Sequence, residues 1–170
     1  KLPRSSMDSP IIRTAKNDDI EQLKECEQGV VSAERPFDNT FQKDNINYYD
    51  IDSLICDQHV ELVVAELNHK IVACGYAKIV KAKPYVQYPF YSYLGFMFVA
   101  PHCRGLELNK RIITYLAQWS KEQGVYHMHL DVYRDNEIAV RAYEKCGFRP
   151  YLMQMRCDLE RFFENKARID

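Results

Sequence analysis

Apolar positions along the chain change their period several times, and each change marks an element. A short apolar segment, Ile11 to Ala15, reads as a strand. Asn17-Asp18-Asp19 then offers capping side chains ahead of Ile20, Leu23 and Cys26 at helical spacing. From Gly29 to Asp57 the chain is polar and broken by Pro36, which predicts interrupted helices or a loop. Two β-branched runs, Val60 to Leu67 and Ile71 to Ile79, flank Asn68-His69-Lys70 and predict a hairpin. A third run, Tyr91 to Val99, stops at Ala100-Pro101, because proline has no N–H for a ladder. Leu108, Ile112, Leu116 and Trp119 recur at helical spacing up to Gly124. Tyr126 to Tyr133 alternates as a strand, Asn136 to Cys146 is helical, and Phe148 to Asp158 returns to strand character. The predicted order is βα, a three-stranded meander, then αβαβ.

Composition narrows the class. With 170 residues, 46% of them hydrophobic, the chain is long enough for one core. One domain is expected over residues 7–158, followed by a charged helical tail over 159–170. The KLPRSS stretch before Met7 reads as a cloning remnant. A formal net charge of -1 gives no general footprint for nucleic acid or an anionic membrane. No apolar run reaches the ~18 residues that a membrane span needs. Six cysteines without a CxxC pair point to reduced thiols in a cytoplasm.

The chemistry-bearing residues cluster in the second half. VAPHCRGLELNKRIITYLAQWSKEQG followed by HLDVYRDNEIAVRAYEKCGF resembles the GNAT superfamily of acyl-CoA-dependent N-acyltransferases. Asn136, Ala139, Tyr143, Gly147 and Phe148 match the family's Asn-x-x-Ala-x-x-x-Tyr-x-x-x-Gly-Phe in full register, with Val-x-Pro upstream. The resemblance implies the GNAT fold: an α+β (α/β) domain with a mostly antiparallel mixed sheet of six to seven strands, a splayed parallel pair and about four flanking helices. It also implies acetyl-CoA as cosubstrate and a small-molecule or exposed protein amine as acceptor, and it allows a homodimer.

By the same resemblance, the loop after Val99 cradles the pyrophosphate. Arg104, Gly105, Leu106, Glu107, Leu108, Asn109 and Lys110 would offer backbone amides there, with Lys110 or Arg111 adding charge. Physically, a helix start suits this task because its first N–H groups lack partners and carry partial positive charge. Met97, Phe98 and Val99 would bind the pantetheine arm through their backbone, as an added strand does. Asn136 and Ala139 would follow that arm, and Tyr143 would donate to the departing sulfur. Asn136 and Tyr143 lie two helical turns apart, on nearly one face.

Two positions depart from the pattern. Glu107 stands where the family usually has glycine, and Asn109 where glycine or alanine is usual. A carboxylate about 6 Å from a phosphate would cost on the order of 3 kcal/mol at an effective dielectric near 20, and below about 1 kcal/mol if turned into water. The outward orientation is expected.

The proton acceptor is left open. Asp131 matches a position where some relatives carry a catalytic glutamate, but it reads equally well as a loop anchor. His127 and His129 share its strand face and could act through water or simply pack. They lack a third ligand at a usual spacing, so no metal is expected. Cys103 beside Arg104 is unnecessary if the amine attacks directly. Tyr85, Tyr88, Phe90, Tyr91 and Tyr93 form either an aromatic wall near the acceptor or alternating strand positions. Asp38, Asp44, Asp50 and Asp52 are available to steer a cationic amine. The alternative to an enzyme is a non-catalytic CoA-binding or ligand-sensing module of the same fold.

Overall fold

The computed structural model describes residues 9–166. The KLPRSS stretch and the last four residues of the charged tail lie outside it. Five strands form one sheet in the order β1-β2-β3-β4-β5. They are β1 (Ile11–Thr14), β2 (Val60–Leu67), β3 (Lys70–Lys81), β4 (Phe90–Val99) and β5 (Met128–Leu130). The first four pair antiparallel and β4 pairs parallel with β5, giving a mixed α+β sheet. Five helices flank it: α1 (Ile20–Glu34), α2 (Ile51–Cys56), α3 (Leu108–Glu122), α4 (Glu137–Lys145) and α5 (Leu159–Lys166).

The alternation along β2 shows how the layers separate. Val60, Leu62 and Val64 pack with Leu23, Cys26 and Val30 of α1 and Ile51 of α2. Val63 and Ala65 point the other way, towards Leu108, Ile112 and Leu116 of α3. The hairpin turn carries Asn68 and His69 at φ 50° and 63°, the paired left-handed conformations that suit a two-residue connection. Arg13 of β1 grips Asp19 with two bonds of 2.8 and 2.9 Å and also reaches Glu66, which fixes the entry to α1.

α1 runs through Gly29 to Glu34, and glycine is needed within it because a Cβ would meet the Phe98 ring. Two expectations need correction. Tyr126 to Tyr133 forms only a three-residue strand. Phe148 to Asp158 forms no strand, so among the described residues the sheet has five strands rather than six to seven, flanked by five helices rather than about four.

Candidate active site

β4 has a neighbour on both sides only along its first half. Ser92, Tyr93 and Leu94 pair with Met128, His129 and Leu130. Beyond Leu94 that pairing ends, yet β4 continues to Val99. A bulge marks the change: Tyr76 faces Gly95 while Cys74 faces Phe98, so two residues of β4 oppose Gly75. Phe96 in the bulge has φ 54°, which a bulky residue seldom adopts. Gly95 is required because a Cβ would collide with the Tyr76 ring and hydroxyl.

The bulge also decides where backbone groups point. The Ala100 N–H donates to the Val72 carbonyl at 2.8 Å. Backbone polar groups alternate sides along a strand, so Phe98 faces β3 whereas Met97 and Val99 face the side that β5 has left. Of the three residues expected to offer backbone contacts, Phe98 therefore spends its groups inside the sheet.

The chain then passes through a short turn, Pro101–Cys103, into α3. Gly105 has φ 89° and Glu107 has φ 55°. These turns aim the backbone so that the N–H groups of Gly105, Glu107, Leu108, Asn109 and Lys110 find no acceptor among the described residues. Leu106 differs, since its N–H donates to the Cys103 carbonyl at 3.3 Å. Five unused donors at the start of a 15-residue helix make an anion cradle. Leu108, fully buried, pins the loop to the core. Arg104, Glu107 and Lys110 are exposed, whereas the Arg111 guanidinium is occupied by the Pro10 carbonyl at 2.8 Å. Glu107 caps nothing, and its left-handed backbone explains why glycine is the easier residue there.

Beyond β5, the Asn136 side chain caps α4 by accepting from the Ala139 N–H at 3.2 Å. Two turns later Tyr143 packs its ring edge-on to Phe148 at 5.9 Å between centroids. Its hydroxyl bonds to no described residue. Burial, helped by the Glu34 carboxylate, pushes the phenol up to about 12, so it is a donor at neutral pH.

The opposite wall holds a residue that the sequence reading passed over. Glu34, the last residue of α1, is half-buried and accepts from the Tyr48 hydroxyl at 2.9 Å. Burial raises its carboxyl above the usual range. Its charge contributes to the upward shifts of Tyr48, Tyr49, Tyr93, Tyr133 and Tyr143, of which Tyr48 bonds to it directly. In sequence Glu34 reads as the polar end of an amphipathic helix. The Tyr48-Tyr49 pair opposite it was the available hint.

Two further carboxylates lie on the same side. Asp131 is exposed and accepts from the Tyr93 hydroxyl at 2.9 Å. Asp38 is buried and accepts from Thr40, from the Tyr133 hydroxyl at 3.2 Å and from Arg156 at 3.2 Å. The Thr40 hydroxyl, then its N–H, hold Asp38 below the usual carboxylate range. Asp50 is committed to capping α2 through Ser53, while Asp44 and Asp52 are exposed. His129 is stacked on Tyr91 at 4.0 Å and bonded to the Tyr88 hydroxyl at 3.1 Å, and His127 stacks on Tyr88 at 3.7 Å. This ladder uses both histidines and two tyrosines of the expected aromatic wall; Tyr85 and Phe90 are exposed. Cys103 is buried, out of reach as a nucleophile. Among the described residues, no His/Cys/Asp/Glu cluster could hold a metal ion and no helix is long and apolar enough to cross a membrane.

Known proteins share this arrangement of elements. Residues 19–148 match the model of the Acetyltransferase (GNAT) family. Over 61 residues the sequence is 41% identical to glucosamine 6-phosphate N-acetyltransferase of Trypanosoma brucei brucei, covering 36% of this chain and 40% of that protein. The chain thus spans well under half the length of this curated relative. The backbone is similar to that of a tetramutant of the BH1408 protein from Bacillus halodurans, with a TM-score of 0.79, 23% identity and coverage of 87% of this chain and 99% of the other. A predicted acetyltransferase from Clostridium acetobutylicum, crystallised with acetyl-CoA, gives 0.69 at 17% identity, covering 89% and 97%. Glucosamine-6-phosphate N-acetyltransferase from Arabidopsis thaliana gives 0.66 at 21%, covering 89% and 99%. At these identities the structural likenesses speak to the fold.

Proposed function

Because the chain belongs to the GNAT acetyltransferase family, we propose that it transfers the acetyl group of acetyl-CoA to a primary amine by direct attack within a ternary complex. The observation that carries this reading is the parting of β4 and β5, which leaves an open strand edge between five free amides at α3 and an unbonded phenol on α4. The pyrophosphate sits on the amides of Gly105, Glu107, Leu108, Asn109 and Lys110, with Arg104 and Lys110 as exposed cations nearby. Met97 and Val99 bind the pantetheine amides as a third strand would. Asn136, with its amide NH2 left over from capping, and the small Ala139 let α4 approach the same arm. The fit is therefore backbone-based.

The acceptor enters from the side of Glu34 and Asp131. An amine with pKa ~10.4 is charged at pH 7, and its neutral form costs ~4.6 kcal/mol to populate. A carboxylate raised by burial is a better proton acceptor than one in water. Glu34 takes that role, while Asp131, held by Tyr93, positions the ammonium. The neutral nitrogen attacks the thioester carbonyl, the C–S bond breaks, and the electron pair goes to sulfur. Tyr143 stabilises that thiolate by hydrogen bonding and keeps its own proton; the thiol acquires the proton shed by the amine through the carboxylate or water. The cleft offers carboxylates and phenol hydroxyls, which suits a polar cationic amine. The acetylation of glucosamine 6-phosphate by the trypanosomal relative places hydroxylated amines early in any screen. Six unpaired thiols suit a reducing cytoplasm as the place of action.

A thiol-release assay tests the reading. Acetyl-CoA with amino sugars and their phosphates, polyamines, amino acids, aminoglycosides and peptides should yield free CoA with at least one class. Acetyl-CoA binding without turnover on every class would leave a ligand-sensing module of the same fold.

A further inference from the structure

A cavity of about 250 Å³ opens between α2 and β3, on the face of the sheet that α1 and α2 cover. Pockets for drug-sized ligands begin near ~300 Å³, so this one holds a single small ring. Three of its walls are the rings of Tyr48, Tyr49 and Tyr76, packed edge-to-face in series at 5.6 and 6.1 Å between centroids. Two of those walls border the chemistry. Tyr48 donates to Glu34 at 2.9 Å, and the Tyr76 hydroxyl lies against Gly95 in the bulge of β4. A molecule lodged in the cavity therefore has one end beside Glu34 and the bulge.

The polar groups around this space are only partly used. Tyr76 is 9% exposed, yet its hydroxyl bonds to no described residue. Burial raises its pKa, so it keeps its proton at neutral pH. Lys78, two residues along β3 and hence on the same face, pairs with no described carboxylate. At the two ends of α2, Asp50 accepts from the Ser53 N–H and hydroxyl, while Asp57 accepts from the His59 N–H through one oxygen and keeps the other free. Idle donors and an idle acceptor thus share one small space.

Charge decides what can enter. A carboxylate or phosphate would meet Asp50 and Asp57, and a second ammonium would meet Lys78. A hydroxyl is neutral and both donates and accepts, so several on one ring satisfy both kinds of group. We infer that this cavity binds a hydroxylated ring of the acceptor, with Tyr76 and Lys78 as donors and Asp57 as acceptor, so that the amine substrate is an amino sugar or another polyhydroxylated cyclic amine. The position of the amine rests on the proposed transferase reading, whereas the hydroxyl-binding cavity does not.

Two measurements on the full chain test it. With acetyl-CoA saturating, glucosamine should exceed cyclohexylamine in kcat/KM by at least about a hundredfold, because cyclohexylamine keeps a six-membered ring and an amine but lacks the hydroxyls. Tyr76→Phe and Lys78→Met should each lower that preference about tenfold, through KM for glucosamine. Independently, N-acetylglucosamine, which has no amine left to acetylate, should shift the amide resonances of Tyr49, Ser53, Tyr76 and Lys78. Shifts there without turnover of any amine would uphold the cavity and sink the transferase reading. Turnover whose preference survives both substitutions would overturn the inference, as would a higher kcat/KM for putrescine or β-alanine than for glucosamine. So would the absence of those shifts at N-acetylglucosamine concentrations up to about 0.1 M, a ceiling above even millimolar affinity.

Discussion

The two walls of the cleft between β4 and β5 are made of different material. On the α3 wall the useful groups are backbone amides, aimed by Gly105 and Glu107 in left-handed conformations. On the acceptor side they are side chains, with Glu34 of α1 held by Tyr48 and Asp131 after β5 held by Tyr93. A backbone cradle tolerates changes of side chain provided that the chain path survives, whereas a side-chain wall does not. That difference explains how Glu107 can replace a customary glycine and the loop still present five free amides. It also predicts which substitutions bind normally but fail to turn over.

Tyr143→Phe should have the largest effect, because it removes the donor to sulfur and nothing from the cradle. Turnover should fall by about 10²–10³-fold, while calorimetry gives nearly unchanged acetyl-CoA affinity. Unchanged turnover would take Tyr143 out of the chemistry and make both walls mere binding surfaces.

Glu34→Gln comes next, with turnover lower by about 10²-fold and a changed pH profile. Protonated Glu34 cannot accept a proton, so activity of the unmodified protein should fall as pH drops through the raised carboxyl range. In the variant that acid limb should vanish. Stability moves the opposite way. Folding favours the protonated form of Glu34, so its stabilising contribution is full below the unfolded carboxylate pKa and is lost as pH rises through the folded value. At pH 7 the variant, which keeps an acceptor for Tyr48, should melt at a higher temperature. A lower melting temperature with an intact acid limb would assign Glu34 to structure alone.

Asp131→Asn should be milder, raising KM for the amine about tenfold with kcat little changed, as expected for an exposed positioning charge worth about 1.4 kcal/mol or less. A collapse of kcat would instead return the proton-acceptor role to Asp131. Glu107→Gly should be the smallest. Relief of a left-handed glutamate should stabilise the fold by about 1 kcal/mol or less in urea denaturation, and acetyl-CoA affinity should gain less than about fivefold. A hundredfold gain would show the carboxylate facing the phosphates.

The same division separates what was legible in the sequence from what was not. β2 at Val60–Leu67 and the helix start at Leu108 are readable because local alternation and a local turn decide them. Asn136, Ala139 and Tyr143 are readable because a cap and two helical turns set their spacing. The run of α1 through Gly29 is not legible because the reason for that glycine is the Phe98 ring, 69 positions away in the chain. Glu34 escapes notice because its hydrogen-bond partner, Tyr48, comes from the loop after α1 and its burial is decided by tertiary packing rather than by local pattern. Residues 149–158 carry a strand-like pattern yet form no strand, because alternation alone does not supply the edge that a strand must pair with.

Backbone amide resonances recorded during an acetyl-CoA titration test the central claim most directly. The account predicts saturable shifts at Gly105, Glu107, Leu108, Asn109 and Lys110, together with Met97 and Val99, and smaller ones on α4 around Tyr143. Shifts confined to other surfaces, with the α3 amides unmoved at saturation, would contradict it.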